Sequence, residues 1–144
     1  MDYETITPPI AYDRLSGSDG WKYLDVRTEQ EFAQGHAAGA YNVPIALMHS
    51  TGGMAPNPEF TDAVRRHFEA DDKLIVGCKM GGRSMRACET LAALGFTRLA
   101  NMDGGFDGAR DELGSVRELG WREHGFPIDK GPQAGRDWAS LRAR

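Results

Sequence analysis

Two cysteines, Cys78 and Cys88, are all that this 144-residue chain holds. That is too few for a disulfide framework. A helix beginning near Gly82 would carry Cys88 about 9 Å along its axis. Bridged Cα atoms lie within about 7 Å, so a Cys78–Cys88 disulfide is not expected without rearrangement. The four histidines, His36, His49, His67 and His124, show no ligand-like spacing with each other or with the cysteines, so no metal site is expected. No apolar run approaches the roughly 18 residues of a membrane span. The first residues, Met1-Asp2-Tyr3-Glu4, lack the basic and apolar regions of a secretory signal, which makes the cytoplasm the default compartment. No basic excess exists either: 17 Lys and Arg stand against 21 Asp and Glu, for a net charge of −4. This argues against a nucleic-acid partner. A small anionic ligand remains compatible, because a local positive field can sit in an acidic protein.

What is present is an ordinary globular composition, 40% hydrophobic and 26% charged, with strand and helix signals in alternation. Thr7-Pro8-Pro9 opens a helix running to Leu15, proline being suited to a first turn. Trp21 to Val26 reads as a strand. Thr28-Glu29-Gln30-Glu31 is a capping box starting a short helix. Gly35 to Gly39 reads as a turn, Ala40 to Val43 as a short strand, and 49–58 as a glycine- and proline-rich loop. Phe60, Val64 and Phe68 have amphipathic helical spacing. Leu74-Ile75-Val76 is a short apolar run suited to a strand buried on both faces. From Ser84 the pattern is helical, with Gly95 as its C′ residue, and Phe96 to Met102 is a further strand. The alternation predicts an α/β domain with a mostly parallel sheet and helices on both faces. The domain is read as 17–128, with an N-terminal helical extension over 1–16 and a looser tail over 129–144. Trp138 and Leu141 are placed to pin that tail to the body or to a partner.

The chemistry concentrates after the apolar run, in Gly77-Cys78-Lys79-Met80-Gly81-Gly82-Arg83-Ser84. Ligands of open α/β sheets bind beyond the carboxyl ends of strands, where Cys78 stands. Gly81 and Gly82 let the chain curl so that successive N–H groups point inward as an anion-binding nest. The next helix adds unpaired N–H groups and a positive dipole end. Lys79 and Arg83 add charge. Such a cradle favours a thiolate over a thiol and then holds an anion near it. A plain core cysteine is the competing reading, but two glycines and an arginine are poor packing material.

Cys78, Gly81 and Arg83 match the C-x-x-G-x-R loop of the rhodanese family, and on them the sequence resembles that family. Leu24-Asp25-Val26-Arg27 with Glu31, Gly35-His36 through Gly39-Ala40, Asn42-Val43-Pro44, Asp103-Gly104-Gly105-Phe106 and Gly125-Phe126-Pro127 resemble its other signatures in order, over about residues 17–128. The resemblance implies a rhodanese-like α/β fold and a sulfurtransferase that requires no metal or organic cofactor. Cys78 would be the nucleophile that takes the outer sulfur of an anionic donor such as thiosulfate. The backbone N–H groups from Lys79 through Met80, Gly81 and Gly82 to Arg83 would cradle the persulfide. Arg83 would close the loop and, with Lys79, help to bind the anion. A thiol, one carried by a protein included, or cyanide would accept the sulfur. One departure concerns tryptophan: the family often carries one just after the glycine pair. Here Asp107-Gly108-Ala109-Arg110 follows, and Trp121 comes only after an apparent insertion over 111–120, so the last helix is expected to be displaced or extended.

Bland readings go to several other residues. Asp25 and Arg27 are read as structural, with Glu31 as partner of Arg27. His36 is read as a turn histidine bonded to backbone, and Cys88 as core. Three other functions stand beside sulfur transfer. A cysteine phosphatase or arsenate reductase needs C-x5-R, but only four residues separate Cys78 from Arg83, and Ser84 holds the sixth position. A non-catalytic binding module would not need the intact loop. A sulfur carrier or persulfide sensor would use the same persulfide with a protein partner.

Overall fold

The computed structural model describes residues 2–143. In chain order the elements are β1 (Glu4–Ile6), α1 (Pro8–Ser16), β2 (Lys22–Asp25), α2 (Glu29–Gln34), β3 (His36–Ala37), β4 (Tyr41–Asn42), β5 (Ala46–Met48), β6 (Met54–Pro56) and α3 (Phe60–His67). Then follow β7 (Lys73–Gly77), α4 (Gly82–Ala93), β8 (Arg98–Met102), β9 (Ala109–Arg110), β10 (Val116–Glu118), β11 (Ile128–Asp129) and α5 (Trp138–Arg142). The main sheet has five strands in the order β1-β8-β7-β2-β4, and every pairing in it is parallel. The fold is α/β, as the alternation of elements predicts.

Side chains of a strand alternate between the two faces of its sheet, and the two cores follow from this. Leu24, Leu74, Val76 and Leu99 point to one face and pack with α3, α4 and α5. Tyr23, Ile75, Ala100 and Met102 point to the other and pack with α1, Phe32 of α2, and Trp121. The run Leu74-Ile75-Val76 is wholly apolar because both faces are covered, and all three residues are buried.

Several local devices follow the residue chemistry. Thr28 accepts the Glu31 N–H at 3.2 Å while Glu31 accepts the Thr28 N–H at 3.0 Å, completing the capping box. α4 ends in a Schellman arrangement: Gly95, at φ +99°, donates its N–H to Ala92 O, and Phe96 donates to Leu91 O.

The reading differs from the structure in four places. Residues 4–6 form β1, an edge strand parallel to β8, ahead of the helix. The stretch read as a loop over 49–58 holds half of an antiparallel hairpin, β5 with β6, whose turn uses Gly52 and Gly53 at positive φ. Pro56 is tolerated there because β6 has a neighbour on one side only. His36–Ala37, read as turn, pairs with β11. The insertion is a hairpin of β9 and β10 rather than a longer helix. Its two ends meet: Trp121 N–H donates to Gly105 O at 2.9 Å and Arg122 N–H to Phe106 O at 3.0 Å. Trp121 thereby reaches the core beside the glycine pair, with 2% exposure and its Nε1 on Pro127 O at 2.9 Å. Trp138 and Leu141 pin the tail to the body, buried against the face that α3 and α4 cover.

Candidate active site

β7 delivers Cys78 to the carboxyl end of the sheet. Gly77 precedes it without a side chain because the Tyr23 ring and hydroxyl fill the space where a Cβ would go. Cys78 is 1% exposed. The chain then turns at Gly81, where φ is +120°, a value that L side chains rarely adopt. This turn aims the Gly81 N–H at Cys78 Sγ, 3.1 Å away. α4 starts at the next residue and runs for 12 residues, so its positive end lies beside the sulfur. The N–H and the helix N-terminus both turn partial positive charge toward the sulfur.

The glycine pair after β8 supports this loop from outside. Phe106 N–H donates to Cys78 O at 2.8 Å, and Asp107 N–H donates to Lys79 O at 2.9 Å. Gly105, at φ +61°, sits so close that a Cβ there would lie 2.6 Å from both carbonyl oxygens. Only glycine allows this approach.

Each loop residue has a distinct place. Lys79 and Met80 are exposed, Gly81 is buried against the sulfur, and Gly82 is exposed in the first turn of α4. Arg83 is half-buried and makes a two-pronged pair with Glu31, at 2.7 and 2.9 Å. Its guanidinium also touches Met54 Sδ at 3.8 Å, which brings the β5–β6 hairpin to the rim of the site. Burial alone would raise the Glu31 pKa. The Arg83 bonds and the Thr28 N–H outweigh it and bring the value down to about 2.

The expected Arg27–Glu31 pair is therefore not formed. Arg27 instead grips Asp25, with Nε on Oδ1 at 3.0 Å and one terminal nitrogen on Oδ2 at 2.8 Å, both residues being buried. Residues two apart on an extended segment share a face, whereas the cap at Thr28 turns Glu31 toward the loop. Arg27 also donates to Gly35 O at 2.7 Å and stacks on Phe106 at 4.4 Å, so this buried pair braces the turn that holds the loop. His36 Nδ1 donates to Phe32 O at 2.7 Å, and the ring is buried and stacked on Phe32.

A cleft of about 290 Å³ opens beside the loop, lined by Arg27, Glu31, Lys79, Phe106, Asp107 and Arg122, among others. A larger one, about 590 Å³, includes Trp21, Lys73 and Arg98 and lies at the amino ends of the strands, away from Cys78. Among the described residues no group of three or more His, Cys, Asp or Glu is placed to hold a metal ion. No helix is long and apolar enough to cross a membrane. Cys88 is a buried free thiol in the core. Burial, with Cys78 and Glu89 nearby, pushes its pKa up to about 12.

Two residues at the site escape the sequence reading. Ser84 Oγ lies 3.4 Å from Cys78 Sγ, and Asn101 of β8 bonds that hydroxyl from behind. The signal for Ser84 was its place as sixth residue after Cys78. Asn101 has none, since its contact depends on strand register.

The Rhodanese-like domain family matches residues 7–112. Thiosulfate sulfurtransferase 16, chloroplastic, of Arabidopsis thaliana is 39% identical over 123 residues, covering 85% of this chain and 90% of that protein. Protein HIGH ARSENIC CONTENT 1, mitochondrial, of the same plant is 37% identical over 132 residues, covering 92% and 69%. Those two names place their bearers in organelles and lend the cytoplasmic expectation no support. The crystal structure of Rv0390 from M. tuberculosis superposes with a TM-score of 0.74 at 30% identity, covering 90% of this chain and 99% of that one. With the family match spanning most of a sheet whose carboxyl end carries the cysteine loop, this chain belongs to the rhodanese-like domain family.

Proposed function

We propose that this protein is a sulfurtransferase acting through Cys78. The observation that carries the reading is the Gly81 N–H on Cys78 Sγ at 3.1 Å, in a loop with four residues between cysteine and arginine. In the first step the Cys78 thiolate attacks the outer sulfur of thiosulfate or a similar anionic donor. The S–S bond of the donor breaks, sulfite leaves with its electron pair, and a persulfide stays on Cys78. In the second step the acceptor, cyanide or a thiolate, attacks the outer persulfide sulfur. Thiocyanate or a new persulfide leaves, and the Cys78 thiolate is restored. Lys79 gives the neighbouring cleft positive charge for the donor, while Arg122 there is paired with Asp107 at 3.0 Å. Gly81, at φ +120°, lets the backbone approach the sulfur, and Gly82 follows it in the first turn of α4, where a Cβ would meet open space. Met80 flanks the rim, and Arg83 fastens the loop through Glu31. A sulfur carrier would use the same first step and pass the sulfur to a protein thiol.

The name of one relative speaks of arsenic content, which keeps arsenate as the second substrate to try. The loop spacing speaks against it, being one residue shorter than C-x5-R. The test is direct. The protein is incubated with thiosulfate, its intact mass is recorded, and thiocyanate is assayed after cyanide. A gain of one sulfur atom and thiocyanate release are expected in wild type and Cys88→Ser, and neither in Cys78→Ser. Full activity in Cys78→Ser would reject the reading. Turnover of arsenate or p-nitrophenyl phosphate without any sulfur adduct would favour the oxyanion alternative.

A further inference from the structure

Ser84 has one proton and three hydrogen-bonding neighbours. Its Oγ lies 3.0 Å from Gly81 O, 3.4 Å from Cys78 Sγ, and in a short contact with Asn101 Oδ1. Ser84 and Asn101 are 0% and 2% exposed, so water cannot readily replace these partners. A hydroxyl donates one hydrogen and accepts at two lone pairs. With Cys78 as a thiol the count closes. The S–H donates to Ser84 Oγ, and Ser84 donates to Asn101 Oδ1 or to Gly81 O.

With Cys78 as a thiolate it does not close. The sulfur then only accepts, so the Ser84 proton must turn toward it. Asn101 Oδ1 is left facing an oxygen lone pair, which a buried site penalises. An amide has a way out that a carboxylate lacks. A half-turn about its last side-chain bond exchanges Oδ1 for Nδ2 at nearly constant shape. Nδ2–H then donates to Ser84 Oγ, and Ser84 O–H donates to the sulfur. Among the described residues nothing else hydrogen-bonds the Asn101 side chain, so the half-turn breaks no other bond.

We propose that Asn101 is a positioning residue whose amide reverses with the charge on Cys78, so that Ser84 donates to the sulfur once it ionises. This rests on Cys78 being the nucleophile. The one bond broken is S–H: its electron pair stays on the sulfur and the proton leaves to solvent. The strand register makes the contact possible. Asn101 follows Leu99 by two, so it faces the α4 side of the sheet, where Ser84 lies in the first turn.

The experiment follows alkylation of Cys78 by iodoacetamide against pH, with the modified cysteine located by peptide mass mapping. Asn101→Leu removes both the donor and the acceptor without adding charge. Asn101→Asp keeps only acceptors. Each is expected to move the midpoint up by about one unit, slowing alkylation about tenfold below it. Because Asn101 acts through Ser84, Asn101→Leu in a Ser84→Ala background should add no further shift. Tyr23, Asp25, Arg27, Glu31, Lys79, Arg83, Cys88 and Asp103 are the titratable or charged groups around Cys78. They are common to all variants and cancel in the comparison. A wild-type midpoint in Asn101→Leu would overturn the proposal. So would an equal shift with and without Ser84. If Asn101→Leu does not fold, Asn101→Asp in both backgrounds decides, because an undiminished shift without Ser84 means that charge alone acts. Alkylation needs no sulfur donor. A shift found in a protein that takes no sulfur from thiosulfate would reject the proposed function and leave the Asn101 role standing.

Discussion

Replacing Gly105 by alanine tests whether the glycine pair holds the cysteine loop in place. The new Cβ would lie 2.6 Å from the carbonyl oxygens of Cys78 and Lys79 and 2.7 Å from the Lys79 carbonyl carbon. All three are backbone atoms, with no flexible end to swing aside. Relief needs the turn and the loop to part by roughly half an ångström or more. The same turn donates to those two oxygens at 2.8 and 2.9 Å, through Phe106 and Asp107, so parting stretches both bonds. Their loss costs about 1 kcal/mol each, and alanine in the left-handed region at φ +61° costs about 1 kcal/mol more. The expected destabilisation is about 3 kcal/mol. Gly95→Ala is the control. Its φ is +99° with nothing within 4 Å, so it bears the backbone strain without the overlap. Urea unfolding of both variants gives the comparison, and iodoacetamide reactivity of Cys78 reports the loop. A Gly105→Ala protein no less stable than Gly95→Ala would refute the reasoning.

Two further outcomes are expected. Glu31→Gln keeps the capping geometry and removes the charge that Arg83 pairs with. Glu31 has a folded pKa of about 2 against an ordinary 4.5, so its contribution is fully present above about pH 4.5 and lost as pH falls through about 2. The pair is partly open to solvent, so screening limits the loss at pH 7 to about 1 kcal/mol. The difference between wild type and variant in urea midpoint should close toward pH 2, and a pH-independent difference would contradict it. Trp138→Ala should cost about 3 kcal/mol or more in the same assay, because the indole is 2% exposed within the core. A loss below about 1 kcal/mol would mean that the tail does not stabilise the body.

The parts of the fold that were legible in the sequence are those fixed by local chemistry. The capping box needed only Thr28 and Glu31, and the central strand only an apolar run between Asp72 and Gly77. The Cys78 loop was legible because glycines beside a cysteine and an arginine have few packing uses. What was not legible depends on distant partners. β1 is three residues long and exists through its ladder with β8. The β5–β6 hairpin was hidden by its own turn glycines and by Pro56. Sequence distance pairs Glu31 with Arg27, whereas the helix cap turns it to Arg83. Asn101 became a site residue only through register, which no local pattern encodes.

The β9–β10 hairpin leaves and rejoins the body at one point. Gly108 and Gly120 lie back to back at its neck, so close that a Cβ on Gly120 would overlap the backbone of Gly108. Its tip is open, with Leu113 92% exposed. The core therefore registers only the neck, and the length of chain between Asp111 and Ser115 is nearly invisible to it. Doubling such a loop costs about 0.6 kcal/mol in closure entropy. This makes the tip a port in the architecture. Segments of varied length, a recognition sequence or a reporter among them, can be spliced in while Trp121 still returns to the same seat beside Gly105.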